Sequence, residues 1–493
     1  MWRIGIAACI ALPLAAQPPA PGALERAVEA ALAAPGLQRA LWGIHVRDLA
    51  TGTVLYSRNA ALPMTPASVT KLFSSSLALL RLGADHRFRT RVLARGEVRG
   101  GTLAGDLILE GGGDPTLSPR EIPYRKGAVE GDPFAALREL AAQVAASGIR
   151  AVRGDVVGDD TLYPWDPYPE GWSVDDPHYE YGAAVSALAV NENSLRLLVR
   201  PGRRAGEPAE IALRPALEYY TIHNHLRTLA GAPRRIRVER APGPGRLLRV
   251  WGTAPPGAAE SWHALAADDP ALFAALAFRE VLLERGIAVR GPAVARRRAP
   301  GETYAPPVGT PVAERVSPPL IEILRVLNKV SHNLTAEIVF LETARLRRGD
   351  ATRELALEEL ATLAAETGAA REEIALQDGS GLSRKGLVSP QSVTALLAYM
   401  HASGQRDAFL GLLPIGGEDG TLSTRFRSLP GAPAIRAKTG TVSHVNALAG
   451  YAGPDPARRA AFAILANHST APAAEIRRAI DTIAIAILDG GYR

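Results

Sequence analysis

Ser68 and Lys71 stand three residues apart in Ser68-Val69-Thr70-Lys71. Helix positions i and i+3 share a face, so the amine can reach the hydroxyl. A serine hydroxyl is a poor nucleophile until a base takes its proton, and a lysine of lowered pKa is such a base. A helix N-terminus adds backbone N–H groups that can meet a developing oxyanion. The tetrapeptide alone says little, because Ser and Lys meet at this spacing in many helices. Two further facts give it weight. No other lysine follows a serine at this distance, and only five of the 56 basic residues are lysines: Lys71, Lys126, Lys329, Lys385 and Lys438. Arginine supplies positive charge nearly everywhere else and cannot lose its proton at physiological pH, so each retained lysine is a candidate for chemistry.

Ser331-His332-Asn333 presents a hydroxyl and a carboxamide two residues apart, able to pass a leaving-group proton and hold a substrate amide. Ser57-Arg58-Asn59 repeats the pattern, and a helix cap explains such a pair equally well. Lys438-Thr439-Gly440-Thr441 ends a predicted strand. There Lys438 and Thr439 can grip a carboxylate, Gly440 can let backbone approach a substrate, and the Thr441 N–H can serve as an oxyanion donor. A lysine on an edge strand followed by a turn is the plainer reading of that segment alone.

The three segments gain force as an ordered set. Ser331 lies 263 residues after Ser68, and Lys438 lies 107 after Ser331, so only a folded domain can unite them. S-x-x-K, S-D-N and K-T-G form the motif set of serine β-lactamases and penicillin-binding proteins. The chain resembles the D-alanyl-D-alanine carboxypeptidase/endopeptidase family, the class C low-molecular-mass penicillin-binding proteins. Similar segments run through most of the chain beyond the signal region: Gly105-Asp106-Leu107, residues 111–116, 181–188 and 191–193, 378–384, 413–414, 419–422 and 437–441.

The resemblance implies an α/β (α+β) penicillin-binding/β-lactamase-like transpeptidase fold, with an antiparallel sheet flanked by helices, discontinuous, and carrying a large β-rich insertion. It implies that Ser68 attacks the D-Ala-D-Ala carbonyl with Lys71 as general base, and that Ser331 and Asn333 relay protons and orient the peptide. Lys438 and Thr439 would bind the terminal carboxylate, with the Ser68 and Thr441 N–H groups as the oxyanion hole and Gly440 beside them. Peptidoglycan peptides are the implied substrates and β-lactams the implied inhibitors, with no cofactor and no metal. His332 departs from the family, which often has Asp or Asn there. Carboxypeptidase and endopeptidase activity remain alternatives at this stage.

These residues need elements to place them. A helix is expected at about 24–34, strands at 41–48 and 54–58, and a helix after Thr65 and Pro66, capped by the first, ended by Gly83 and burying one side. From about 88 to 300, short strand-like runs alternate with Gly/Pro/Asp turns, with a helix at 135–147. Helical periodicity returns through 320–347 and 353–367. Strands follow at 434–440, 446–451 and 460–466, then a terminal amphipathic helix at 473–489. The implied division is 1–16 signal peptide, 23–87 and 301–493 catalytic, and 88–300 an inserted region of one or two subdomains.

The bulk properties agree with an exported enzyme. Residues 1–16 carry Arg3, an apolar run and Ala15-Ala16, the pattern of a secretory signal, and the only cysteine, Cys9, falls within it. No other segment has the apolar length of a membrane span. The net charge of +6 is dispersed without a basic block, which argues against nucleic acid. His223-Asn224-His225 lacks further ligands for a metal. Trp165, Tyr168, Trp172, Tyr179 and Tyr181 either line a glycan or peptide cleft or pack a long loop. A serine β-lactamase and a catalytically inactive wall-binding scaffold are the rival functions. The first lacks a Tyr-x-Asn and leaves the insertion unexplained; the second has no need of Ser68, Lys71 and Lys438 together.

Overall fold

The computed structural model describes residues 22–490 apart from 129–130, 242, 244, 428 and 455–458. The expected signal segment and Cys9 lie outside the described residues. Among these, no helix is long and apolar enough to cross a membrane.

The two ends of the chain share one antiparallel sheet, in the order Val54–Arg58, Leu41–Asp48, Ala460–Asn467, Val445–Ala452, Ile435–Val442. Side chains alternate across a strand, so a strand covered on both faces must be apolar throughout. Val445–Ala452 and Ala460–Asn467 are buried at every position. Leu448, Phe462 and Ile464 face the helices Ala23–Leu32 and Ala473–Gly490, whereas Ala449, Tyr451 and Leu465 face a layer of helices that includes Lys71–Leu82. On its outer edge Ile435–Val442 is bonded at its start by residues 414–416, with a bridge between Ile415 and Arg436, and from Lys438 onward that edge has no strand partner among the described residues.

Three expectations about the helical layer change. The Lys71–Leu82 helix is entered through a 3₁₀ turn, Ala67–Thr70, and Thr65 does not cap it. Thr65 is instead tied to the sheet: its N–H donates to Asn467 Oδ1 at 2.9 Å and its carbonyl accepts from Asn467 Nδ2 at 3.1 Å. Burial is not one-sided either, since every residue from Lys71 to Leu79 is buried. Gly83, at φ 84°, does end the helix. The expected helix 320–347 is two helices, Leu320–Lys329 and Asn333–Arg348. Ser331 interrupts them at φ 61°, a left-handed conformation uncommon outside glycine.

The strands between carry a second core. Arg89–Arg99 pairs with Thr102–Glu110 and with Thr310–Val316, in a seven-stranded sheet. Two three-stranded sheets follow, one centred on Ser194–Arg200 and one on Leu247–Ala254. The helices Ala135–Ala146 and Pro270–Glu284 pack into this region, around Leu137, Leu140, Phe273 and Phe278. His223 and His225 lie on Thr221–Thr228 with ring centroids 6.2 Å apart. Among the described residues no group of three or more His, Cys, Asp or Glu could hold a metal ion.

Candidate active site

The turn that presents Ser68 is held in an unfavourable backbone state. Ala67 has φ 48°, which costs an L-residue about 1–2 kcal/mol. Gly381, itself at φ 76°, presses on this turn so closely that a Cβ there would lie 1.9 Å from the Ala67 carbonyl oxygen. Gly440 approaches from the sheet, where a Cβ would stand 2.5 Å from the Pro66 carbonyl oxygen. The absent side chain of Gly440 therefore makes room for the serine turn, a different reason from the substrate approach expected of it.

Lys71 is fully buried, and its Nζ has three partners: Ser68 Oγ at 2.9 Å, Asn333 Oδ1 at 2.6 Å and the Ser380 carbonyl at 2.7 Å. Burial brings its pKa down to about 7, against the opposing pull of the Asp378 and Glu337 carboxylates. The partners make the neutral form useful. Asn333 Oδ1 and the Ser380 carbonyl can only accept, so a neutral amine keeps its two hydrogens on them. Its lone pair is then left for the Ser68 hydroxyl proton.

Asn333 is oriented from its other end, since Nδ2 donates to the Tyr181 carbonyl at 2.8 Å. The helix break at Ser331 turns that residue toward Lys438, whose Nζ donates to Ser331 Oγ at 2.8 Å and to the Thr439 carbonyl at 2.9 Å. Lys438 is fully buried, and its pKa is pushed well down, first by burial and then by the charge on Lys71. Thr439 donates its hydroxyl to Thr421 Oγ1 at 2.9 Å. Thr441, exposed, follows on the same free strand edge. Ser68, Lys71 and Asn333 thus form one hydrogen-bonded group and Ser331, Lys438 and Thr439 a second, close enough that the charge on Lys71 acts on Lys438, with Gly440 and Thr441 next in sequence. His332 turns away from both groups: Nδ1 accepts from the Thr335 N–H as the cap of Asn333–Arg348, and Nε2 lies 3.3 Å from Glu192 Oε2.

Sequence reading gives no role to the layer beneath, although the segment 378–384 stands among the family-like ones. Glu337, fully buried, accepts from the N–H groups of Gly379 and Ser380 and pairs with Arg353 at 3.1 Å. Asp378 accepts from the N–H groups of Gly381 and Ser383 and from Trp172 Nε1 at 3.0 Å. Together they aim the Ser380 carbonyl at Lys71. Trp172 and Tyr181 had stood out as members of an aromatic run, and Lys329, bound to Asp419 at 2.5 Å, as a retained lysine. Those were the available signals.

Comparison with known proteins agrees with this arrangement. A model of the D-Ala-D-Ala carboxypeptidase 3 (S13) family matches residues 24–487. The D-alanyl-D-alanine carboxypeptidase of Actinomadura sp. (strain R39) is 34% identical over 468 residues, covering 91% of this chain and 82% of that protein. Carboxypeptidase DacB of Mycolicibacterium smegmatis is 28% identical over 487 residues, covering 97% and 86%. The crystal structure of penicillin binding protein 4 from Haemophilus influenzae shares the fold, with a TM-score of 0.81 at 23% identity, covering 94% of this chain and 98% of that one. A second structure of that protein, complexed with a β-lactam, has a TM-score of 0.76. The chain belongs to the D-Ala-D-Ala carboxypeptidase 3 (S13) family, and its activity is that of a serine-type D-alanyl-D-alanine carboxypeptidase acting on peptidoglycan.

Proposed function

We propose that this chain cleaves stem peptides through an acyl-enzyme on Ser68, working outside the cytoplasmic membrane. The observation that carries the reading is the triple coordination of Lys71, which leaves its neutral form one lone pair, facing Ser68. Neutral Lys71 takes the Ser68 proton as Oγ bonds to the penultimate D-Ala carbonyl carbon. The oxyanion so formed rests on the N–H groups of Ser68 and Thr441. The C–N bond then breaks, and the leaving amine takes the proton that Lys71 gained, delivered by way of the Ser331 hydroxyl, while Asn333 holds the peptide in place. Water attacks the ester and gives a proton to Lys71, which passes it to Ser68 Oγ as the acyl–oxygen bond breaks. Lys438, Thr439 and Thr441 receive the terminal carboxylate, whose negative charge favours the protonated form of Lys438 against the burial that lowers its pKa.

A β-lactam enters as a substrate mimic whose acyl-enzyme hydrolyses slowly. The separate cores support a catalytic unit of 23–87 and 301–493 with 88–300 inserted, although the pairing of Thr310–Val316 with Arg89–Arg99 favours ending the insertion near 316.

The test is intact mass after incubation with a penicillin, together with D-alanine release from a pentapeptide ending in D-Ala-D-Ala, for wild type and Ser68→Ala. A lasting adduct and D-alanine release from wild type alone is the expected result. Rapid penicillin destruction without an adduct would indicate a β-lactamase. Neither adduct nor release from folded protein would indicate an inactive scaffold.

A further inference from the structure

The sheet centred on Leu247–Ala254 has one face in the second core and the other in solvent. Thr221–Thr228 pairs with the central strand in parallel, and Arg235–Arg240 pairs with it antiparallel. Leu226, Leu248 and Val250 point into the core, and alternation sends the residues between them outward. The register places Trp251 between His225 and Arg237, about 5 Å from each across the sheet. Arg227 and Arg235 flank Thr253 in the next outward row, and Arg249 lies beside Glu239 in the row before. His225, Glu239 and these four arginines are exposed, and Trp251 is 47% exposed. Glu239 is the only carboxylate in the three strands, and none of the four arginines is ion-paired among the described residues.

A lone tryptophan in solvent is ordinary. Ringed by four guanidiniums on a flat face, it offers a ligand a stacking surface and several anion-binding forks at once. A phosphate polymer would use the arginines and leave the indole idle. A glycan strand bearing stem peptides uses both, because the C–H faces of its sugar rings stack on indole and its peptide carboxylates suit bidentate guanidinium bonds. The sheet is also tied to the cleft. Within Arg235–Arg240 the Val238 carbonyl accepts from His178 Nε2 at 3.1 Å. Next in the chain, Tyr179 stacks on Tyr181 with ring centroids 5.5 Å apart, and the Tyr181 carbonyl holds Asn333. We propose that the open face around Trp251 is a docking surface for peptidoglycan. Sugar rings lie on the indole and stem-peptide carboxylates on Arg227, Arg235, Arg237 and Arg249, so that the insertion anchors the polymer while the cleft works on one of its peptides. The proposal goes beyond the Ser68 reading, since docking needs no acyl-enzyme.

The test is co-sedimentation with purified insoluble peptidoglycan, freed of other polymers, in a Ser68→Ala background that cannot cut it. Trp251→Ala and Arg235→Ala/Arg237→Ala should each raise the dissociation constant about tenfold, the scale of a lost stacking contact or of two exposed ion pairs. Trp251→Phe should retain most of the binding, and added salt should weaken it by screening the arginines. With Ser68 restored, the same variants should keep wild-type kcat/KM on a free pentapeptide, which is too small to span cleft and sheet. Unchanged sedimentation in both variants overturns the proposal. Loss in the arginine variant alone also overturns it, because the face would then attract any polyanion. Pentapeptide turnover that falls in step with binding does the same, since it places the effect in the catalytic fold. Failure of the Ser68 reading looks different: wild type would release no D-alanine from the pentapeptide, while sedimentation would still respond to Trp251→Ala.

Discussion

Gly381 lies so close to Ala67 that the smallest side chain would drive into the Ala67 carbonyl oxygen, with Thr70 Oγ1 only 2.6 Å away on the other side. The nucleophile's turn is thus braced by a loop more than 300 residues further along the chain. Gly381→Ala meets both the clash and the left-handed φ, the latter alone costing about 1–2 kcal/mol. The expected result is a lower Tm and penicillin acylation of Ser68 slowed by roughly a hundredfold, as the turn shifts relative to Lys71. Wild-type acylation in a folded Gly381→Ala protein would show that the contact does not position the serine.

Lys71 must be neutral to take a proton, and its pKa is held down to about 7. Below that pH the ammonium form predominates, so the acylation rate constant should fall about tenfold per unit and should level off above it. Lys71→Arg cannot lose its proton. Its acylation should drop by roughly a hundred- to ten-thousandfold and lose the rise near pH 7. Stopped-flow acylation with a chromogenic β-lactam across pH 5–9 measures both, and a flat wild-type profile would remove Lys71 from the role of base.

The motif residues and the sheet strands were legible because each is written locally. Strands 41–48 and 54–58 were read with the bounds they have, from apolar runs interrupted by a turn at Thr51-Gly52. The break at Ser331 was not, because Val330 and Leu334 continue the apolar period on both sides of it. The start of the Lys71–Leu82 helix was also misread. Thr65 and Pro66 satisfy the local rules for a cap and first turn, but Asn467 claims the Thr65 backbone and Gly381 shapes the turn. Glu337 and Asp378 act on Lys71 through a loop whose position depends on long-range packing, so spacing assigns them no role, although the family-like segment 378–384 marks that loop.

Lys329 and Asp419 form a pair whose side chains are 4% and 19% exposed, and Asp419 Oδ1 also accepts the Ile415 N–H at 2.8 Å. Two residues on, Thr421 holds Thr439. Lys329→Met leaves a largely buried carboxylate without its cation, a change that costs about 3 kcal/mol. Urea unfolding should show that loss, and Lys329→Met/Asp419→Leu should recover most of it. Two single losses that simply add in the double variant would mean the pair contributes no coupling.

Glu192 links the inserted region to the cleft by way of His332. It stands in Asn191-Glu192-Asn193, three consecutive residues at φ 48°, 57° and 50°, and binds Arg120 and His332. Burial opposes its charge, yet His332 and Arg120 outweigh burial and hold the carboxyl below its usual range. A depressed carboxyl adds stability that is present above the unfolded-state pKa and lost as pH falls through the folded one. Glu192→Gln should therefore lower stability by about 2–3 kcal/mol at neutral pH. The gap to wild type should narrow progressively as pH drops below about 4, where the unfolded chain takes up a proton that the folded carboxyl still refuses. Because His332 caps the helix that begins with Asn333, acylation by a β-lactam should also slow in this variant. Thermal unfolding at pH 3 and pH 7, paired with acylation rates, checks both parts. A stability gap that stays constant with pH would mean that Glu192 acts by packing rather than by charge.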